Sequence, residues 1–164
     1  MRILGIDPGG TGAAALLDRT GLTVEVADMP VFKVKRGRGA KNELDVLAFA
    51  HMLREWEPTV CYMEQVHGVD GDSASSAFNF GRIAGAAEAV ARILSDRFEF
   101  VTPPVWKKEM GLIRTAKDDA RALATSMWPA SAERFRRKMD DGRAEAALIA
   151  EFGRRQLMQR GVFS

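Results

Sequence analysis

The chain contains five short runs of apolar and β-branched residues and four longer stretches with helical periodicity. The strand-like runs are residues 2–6, 13–17, 22–27, 59–66 and 98–101. The helical stretches are 42–57, 76–94, one capped by Thr115, and about 140–159. A four-residue turn after the second run predicts an antiparallel meander of three strands. A helical crossover then predicts that the fourth strand lies parallel to the first, in a mixed α/β sheet.

The polar segments between these elements are predicted to be loops. Residues 33–41 are too polar and too rich in glycine for a core, which predicts a mobile basic loop, and residues 67–75 predict a polar loop. Asn42 is the predicted N-cap of the first helix, which Pro58 stops. With 164 residues, the chain is predicted to form one domain over 1–164.

Composition places the protein among soluble globular domains. Hydrophobic residues make up 46% and charged residues 28%, which disfavours disorder and membrane insertion. The single cysteine, Cys61, has no disulfide partner within the chain and lies in an apolar run, where a buried thiol is expected. Neither a signal peptide nor a transmembrane segment is predicted, so we expect a cytoplasmic protein, in a bacterium or a phage-infected host. The net charge of +2 says little about partners.

Two acids end the strands predicted to be parallel neighbours. Asp7 precedes Pro8 and Gly9, so ordinary turn chemistry is one explanation for it, but Glu64 lies in a strand-like run that otherwise favours burial. Both would lie at the carboxyl edge of the sheet, where open α/β sheets bind ligands. Two carboxylates so close together would repel each other unless a cation lay between them.

The last helix begins with a further acidic pair. Asp141 and Glu145 are four residues apart and share one helix face, where acids alone would be explained by the helix dipole. Together with Asp7 and Glu64 they predict a cluster of four carboxylates. Such a cluster suits Mg²⁺, or Mn²⁺, better than zinc, which prefers Cys and His ligands. Two such ions per site would support phosphodiester hydrolysis.

Several segments resemble the RuvC family of Holliday-junction resolvases. They are residues 1–9, 64–66, 75–86, 101–108 and the acidic start of the last helix, and the resemblance spans roughly residues 1–152. It implies an RNase H-like α/β fold, with a mixed five-stranded sheet of three antiparallel and then two parallel strands flanked by helices. It also implies a Mg²⁺-dependent crossover junction endodeoxyribonuclease that acts on branched DNA as a homodimer. The basic segment and the acidic motif look most like bacteriophage-type members.

The resemblance also implies roles for individual residues. Asp7, Glu64, Asp141 and Glu145 would bind the metals, and the candidates for phosphate contacts are Lys107, Lys108 and Lys117. The bacterial enzymes end with two aspartates three residues apart, whereas Gly142 stands three residues before Glu145, so Asp140 competes with Asp141 as the ligand. His67 stands where the bacterial family places an aromatic residue, which leaves base preference open.

Two clusters of basic residues support a nucleic-acid partner. The candidates for DNA binding are Lys35, Arg36 and Arg38 in the first cluster and Arg137 and Lys138 in the second. Trp106 and Phe135 have two interpretations, stacking on unpaired bases or packing in the core. The small residues of helix 76–94 also have two: a dimer interface, which would supply the two active sites that a four-way junction requires, or packing against the protein's own sheet.

Three other functions remain open from the sequence. Residues 5–12 also look like the first phosphate loop of actin-like kinases, but the second lobe and the second phosphate motif are missing. A DNA-binding protein of this fold without catalysis is disfavoured by the intact acids. A nuclease that prefers flaps or replication forks remains possible on sequence grounds.

Overall fold

Seven strands and five α-helices make up the computed structural model, which describes residues 1–36, 39–66 and 73–162. The strands are β1 (Arg2–Asp7), β2 (Ala13–Asp18), β3 (Val24–Asp28), β4 (Val31–Arg36), β5 (Gly39–Leu44), β6 (Val60–Glu64) and β7 (Arg97–Val101). The helices are α1 (Val46–Trp56), α2 (Ala74–Leu94), α3 (Pro103–Glu109), α4 (Lys117–Met127) and α5 (Asp141–Gln159). Two short 3₁₀ helices, Pro129–Phe135 and Lys138–Asp140, join α4 to α5. No helix within the described ranges is long and apolar enough to cross a membrane.

The main sheet has the strand order β3-β2-β1-β6-β7. β1 and β3 each pair antiparallel with β2, while β6 pairs parallel with both β1 and β7. The predicted mixed sheet of three antiparallel and two parallel strands is therefore confirmed. The register pairs Ile6 with Met63, so the carboxyl ends of β1 and β6 lie side by side.

Helices cover both faces of this sheet. Successive residues of a strand point to opposite faces, so each strand contributes side chains to two apolar clusters. On one face, Ile3 and Tyr62 belong to an apolar cluster with α3, α4 and α5. On the other, Leu4 and Met63 belong to a cluster with α1 and α2. Cys61 is fully buried in this second cluster, as predicted. Both parallel strands are thus buried on two faces, which explains why they are almost continuously apolar.

Helix α5 lies directly against β1 because Gly5 has no side chain. A Cβ atom at this position would overlap the carbonyl oxygen of Ala146 and the backbone nitrogen of Ala150, and would lie 2.9 Å from the Ala150 Cβ. This close approach fixes the first turns of α5 beside the end of β1. Two of the predicted metal ligands are carried there.

The basic segment forms regular structure where the sequence predicted a loop. β4 and β5 pair antiparallel as a separate two-stranded sheet, so the loop prediction for 33–41 is wrong for the described residues of that range. A two-stranded ribbon buries few side chains and therefore leaves little apolar periodicity in the sequence. Arg38 lies outside the described residues.

Two helix starts also differ from the prediction. Asn42 lies on β5, where its side-chain amide donates to the Gly10 carbonyl at 2.9 Å, and the N-cap of α1 is Asp45, which accepts from the Ala48 N–H. α4 begins at Lys117, after the predicted cap Thr115, and the Asp119 carboxylate accepts from the Ala116 N–H at 2.9 Å. In both cases a nearby carboxylate satisfies the first free N–H groups of the helix.

One buried acid on α5 has a structural role. Glu151 is 2% exposed and accepts hydrogen bonds from Arg154 at 2.6 and 2.9 Å and from Arg155 at 2.8 Å. These guanidinium groups outweigh the effect of burial and hold the pKa of Glu151 below its ordinary value of 4.5. Its carboxylate is therefore stabilised by folding.

We expect Glu151→Gln to lower the free energy of unfolding at pH 7 by about 2 kcal/mol, because charge-assisted hydrogen bonds are lost. A depressed pKa stabilises the fold above the unfolded value of about 4.5 and stops doing so as the pH falls through the folded value. The difference between wild type and variant should thus shrink below pH 4.5. Urea unfolding from pH 7 to pH 3 measures it, and a pH-independent difference would contradict this assignment.

Candidate functional site

Two carboxylates meet where β1 and β6 end. Asp7 is the last residue of β1 and Glu64 the last residue of β6, and their preceding residues pair in register. Protein atoms crowd the Asp7 carboxyl group, while Glu64 is half-buried. The sequence prediction that these two acids share one edge of the sheet agrees with this arrangement.

The electrostatic environment of these acids disfavours their charged forms. Burial, followed by the charges of Glu145 and Glu64, raises the pKa of Asp7 well above its usual range, and Lys107 opposes the shift. Burial also raises the pKa of Glu64, against a hydrogen bond from Trp106, with Glu145 adding to the increase. Three carboxylates from three separate elements therefore act on one another.

The third of these acids lies on α5 and already has a cationic partner. Glu145 Oε1 is 3.1 Å from the Nζ of Lys107, which is carried by α3. Lys107 was predicted to contact phosphate, and the structure brings it to the carboxylate cluster. Its ammonium group supplies part of the positive charge that this cluster requires.

Asp141, at the start of α5, is held by an arginine that the sequence did not indicate. The Nε of Arg121 donates to Asp141 Oδ1 at 2.7 Å, and the same guanidinium group also contacts Asp118 and the carbonyl oxygen of Arg136. The structure thus brings Asp7, Glu64 and Glu145 into mutual interaction and leaves Asp141 paired at their margin.

Asp140 and Gly142, the residues on either side of Asp141, have clear structural roles. Asp140 is 1% exposed, accepts from the backbone N–H and the guanidinium group of Arg137, and lies 3.6 Å from Arg143, so two arginines neutralise its carboxylate in this structure. A Cβ at Gly142 would lie 2.8 Å from the carbonyl oxygen of Thr11 and 3.1 Å from Asp7 Oδ2. The position three residues before Glu145 therefore faces Asp7 but has no room for a side chain.

A cleft of about 520 Å³ opens beside these acids. Its acidic lining comes from Asp7, Asp28, Asp141 and Glu145, and its basic lining comes from Arg137 and Lys138. Arg137 is anchored by its bonds to Asp140, yet its side chain remains 57% exposed. The cleft thus combines carboxylates with basic side chains, an arrangement suited to a phosphodiester accompanied by cations.

The other predicted DNA contacts are more scattered. Lys108 is exposed on α3. Lys35 is exposed on β4, close to the end of the ribbon where β4 ends and β5 begins. Arg36 ends β4 and Lys117 begins α4. His67, like Arg38, lies outside the described residues. These positions remain predictions as DNA contacts.

The two aromatic residues considered for base stacking are buried in the core. Trp106 is 0% and Phe135 1% exposed, so the interpretation as core residues is confirmed and stacking on DNA is excluded in this conformation. Trp106 nevertheless reaches the site, because its Nε1 donates to Glu64 Oε1 at 2.8 Å. Helix α3 was not predicted from the sequence because it begins with two prolines, although proline is common in the first turn of a helix.

The candidate ligands Asp7, Glu64, Asp141 and Glu145 have the chemistry that hard divalent cations prefer. They offer carboxylate oxygens alone, and their mutual repulsion and desolvation would be relieved by a cation. Within 1–36, 39–66 and 73–162, no three His, Cys, Asp or Glu side chains yet converge as metal ligands do. Glu145 would have to exchange Lys107 for a metal before the set could close.

Comparisons with known proteins identify the fold. No family model matches the sequence, and no curated protein matches it. A solved structure of Thermus thermophilus RuvC in complex with a Holliday junction substrate is 14% identical, with a TM-score of 0.61 over 95% of this chain and 96% of that one. A second structure, of T. thermophilus RuvC, is 17% identical, with a TM-score of 0.55 over 98% and 97%. The chain therefore has the RuvC-like form of the RNase H fold, as the sequence motifs predicted.

Proposed function

We propose that this protein is a divalent-metal-dependent endonuclease that cuts branched DNA, with the Holliday junction as its principal substrate. The observation that carries the proposal is that Asp7, Glu64 and Glu145, from β1, β6 and α5, lie close enough to influence one another's charge, beside a cleft with basic side chains. A RuvC of the same fold has been solved with a Holliday junction substrate, which supports the choice of substrate.

The acids would hold the metal ions, Mg²⁺ or Mn²⁺ and two per site. Asp7, Glu64 and Glu145 form the core of this set, and Asp141 would join it by leaving Arg121. When bound, such ions activate a water molecule and stabilise the charge of a displaced oxygen. The protein itself supplies the rigid strand ends and the helix that hold the carboxylates.

The basic residues would bind and orient the DNA backbone. Lys107 would exchange Glu145 for the phosphate that is cut, while Arg137 and Lys138 would hold neighbouring phosphates at the edge of the cleft. Lys108, Lys35, Arg36, Arg38 and Lys117 would extend these contacts along the arms. Contacts to phosphates do not distinguish one base sequence from another, so substrate choice would depend on the branched shape of the DNA.

A homodimer would match the symmetry of the substrate. A four-way junction has approximate two-fold symmetry, and two identical active sites would cut it in two symmetric strands. On α2, Ala84 packs in the protein's own core, whereas Gly81 and Gly85 are exposed. Sedimentation at assay concentrations tests this point, and a monomer there would count against paired cutting.

The deciding experiment compares four substrates built from the same strands: a four-way junction, a three-way junction, a flap and a linear duplex. With Mg²⁺ we expect paired symmetric cuts in the four-way junction, and with EDTA no cleavage at all. Preferred cleavage of the flap would favour a different structure-specific nuclease. Equal cleavage of the linear duplex, or no cleavage of any substrate, would overturn the proposal.

A further inference from the structure

Trp106 joins the hydrophobic core to one of the proposed metal ligands. Its ring is fully buried on α3, and its only polar atom, Nε1, donates to Glu64 Oε1 at 2.8 Å. The acid at the end of β6 therefore takes its orientation from a ring that tight packing holds in place.

We propose that Trp106 is a positioning residue for Glu64, which it holds in the orientation that receives a divalent cation. This inference rests on the metal site of the proposed function. An indole N–H can only donate, so it holds one carboxylate oxygen and leaves Oε2 available. Outer partners of this kind orient metal ligands, and their loss commonly weakens metal binding 10- to 100-fold.

Two consecutive residues of α3 form different kinds of interaction with two of the acids. Trp106 binds Glu64 through a neutral donor, whereas Lys107 binds Glu145 through an ammonium group 3.1 Å away. A neutral N–H can stay in place when a cation arrives, because it does not repel it. The charged Lys107 has to give up Glu145. Helix α3 therefore orients Glu64 for the metal and neutralises the charge of Glu145 until a metal ion replaces Lys107.

A buried tryptophan needs a hydrogen-bond acceptor in any case, so Trp106 could serve stability alone. Trp128 provides the matched control. It is 2% exposed and donates its Nε1 to the backbone carbonyl of Gly21 at 3.0 Å, away from the acids. Replacing either residue with phenylalanine removes one indole donor from the core, but only one of the two donors reaches a proposed ligand.

The test is calorimetric titration of Mn²⁺ into the DNA-free full chain. We expect Trp106→Phe to bind Mn²⁺ 10- to 100-fold more weakly than wild type, and Trp128→Phe to bind within about twofold of it. Thermal unfolding of both variants reports the structural cost separately. In a Glu64→Ala background, Trp106→Phe should cause no further loss of affinity, because it acts through Glu64.

A measurement on the wild-type protein covers the case in which Trp106→Phe fails to fold. The chain has three tryptophans, so three indole N–H resonances are expected, and Trp56→Phe and Trp128→Phe assign them by elimination. Mg²⁺ should shift the Trp106 resonance and leave that of Trp128 in place. An unmoved Trp106 resonance, equal affinities of the two variants, or a persisting loss in the Glu64→Ala background would each overturn the positioning role. A wild-type chain that binds no metal would instead overturn the proposed function itself, and this role with it.

Discussion

Asp7→Asn is expected to slow junction cleavage severely while making the protein more stable at neutral pH. An amide keeps the shape of the side chain but removes the charge that would hold a cation at the end of β1. The loss of several kcal/mol of charge stabilisation corresponds to about a 10³-fold slower reaction. Single-turnover cleavage of a four-way junction, with wild type and variant at equal concentration, measures this effect.

The gain in stability follows from the raised pKa of Asp7. Burial and the neighbouring carboxylates make its charged form unfavourable in the folded state, so the neutral amide should fold better. The sign is opposite to that of Glu151: a raised carboxyl pKa costs stability above the folded value and nothing below the ordinary value of 3.8. The advantage of Asp7→Asn should therefore fade as the pH is lowered towards that value.

Asp18→Asn is the matched control for this prediction. Asp18 ends β2 at the opposite end of the sheet, where the Thr20 hydroxyl and two backbone N–H groups lower its pKa. This substitution should leave cleavage unchanged and slightly destabilise the protein at pH 7. If Asp7→Asn cuts at the wild-type rate, or loses stability as Asp18→Asn does, the assignment of Asp7 to a repulsive cluster of ligands is wrong.

The main sheet could be predicted because its strands are buried. Residues 3–6 and 60–63 contain no charged side chain and are mostly apolar, and the helix between these runs favours a parallel pairing. That pairing alone is enough to predict that Asp7 lies beside Glu64. The β4–β5 ribbon lacks such a pattern: Val31, Phe32 and Val34 favour a strand, but the charged residues that follow hide the signal.

The partners of the candidate ligands could not be predicted, because they depend on side chains distant in sequence. Trp106 reaches Glu64 across 42 positions, and Arg121 reaches Asp141 across 20. The motif comparison gave Asp140 and Asp141 as competing ligands, and their surroundings differ in a way that the sequence does not contain: Asp140 is buried against Arg137, whereas Asp141 lines the cleft. The glycine at position 142 likewise has a reason that the sequence does not contain, because a Cβ there would lie 2.8 Å from the carbonyl oxygen of Thr11.

The fold and the site depend on one point of contact, and Gly5→Ala should damage both. An added methyl group would overlap the backbone of Ala146 and Ala150, so α5 would have to move away from β1. Overpacking against rigid backbone should cost about 3 kcal/mol of unfolding free energy. Denaturant unfolding measures the loss, with Gly85→Ala as the control, since a Cβ there meets nothing within 4 Å and alanine favours the α2 helix by about 1 kcal/mol.

The same displacement would separate Glu145 from Asp7, because one lies on α5 and the other ends β1. We therefore expect Gly5→Ala to lose Mn²⁺ affinity and cleavage even at temperatures where it remains folded, while Gly85→Ala keeps the Mn²⁺ affinity of the wild type. A stable Gly5→Ala variant with wild-type cleavage would mean that α5 can shift without disturbing the carboxylates. Loss of cleavage in a folded Gly5→Ala variant would instead show that the glycine sets the distance between the two elements that carry the acids.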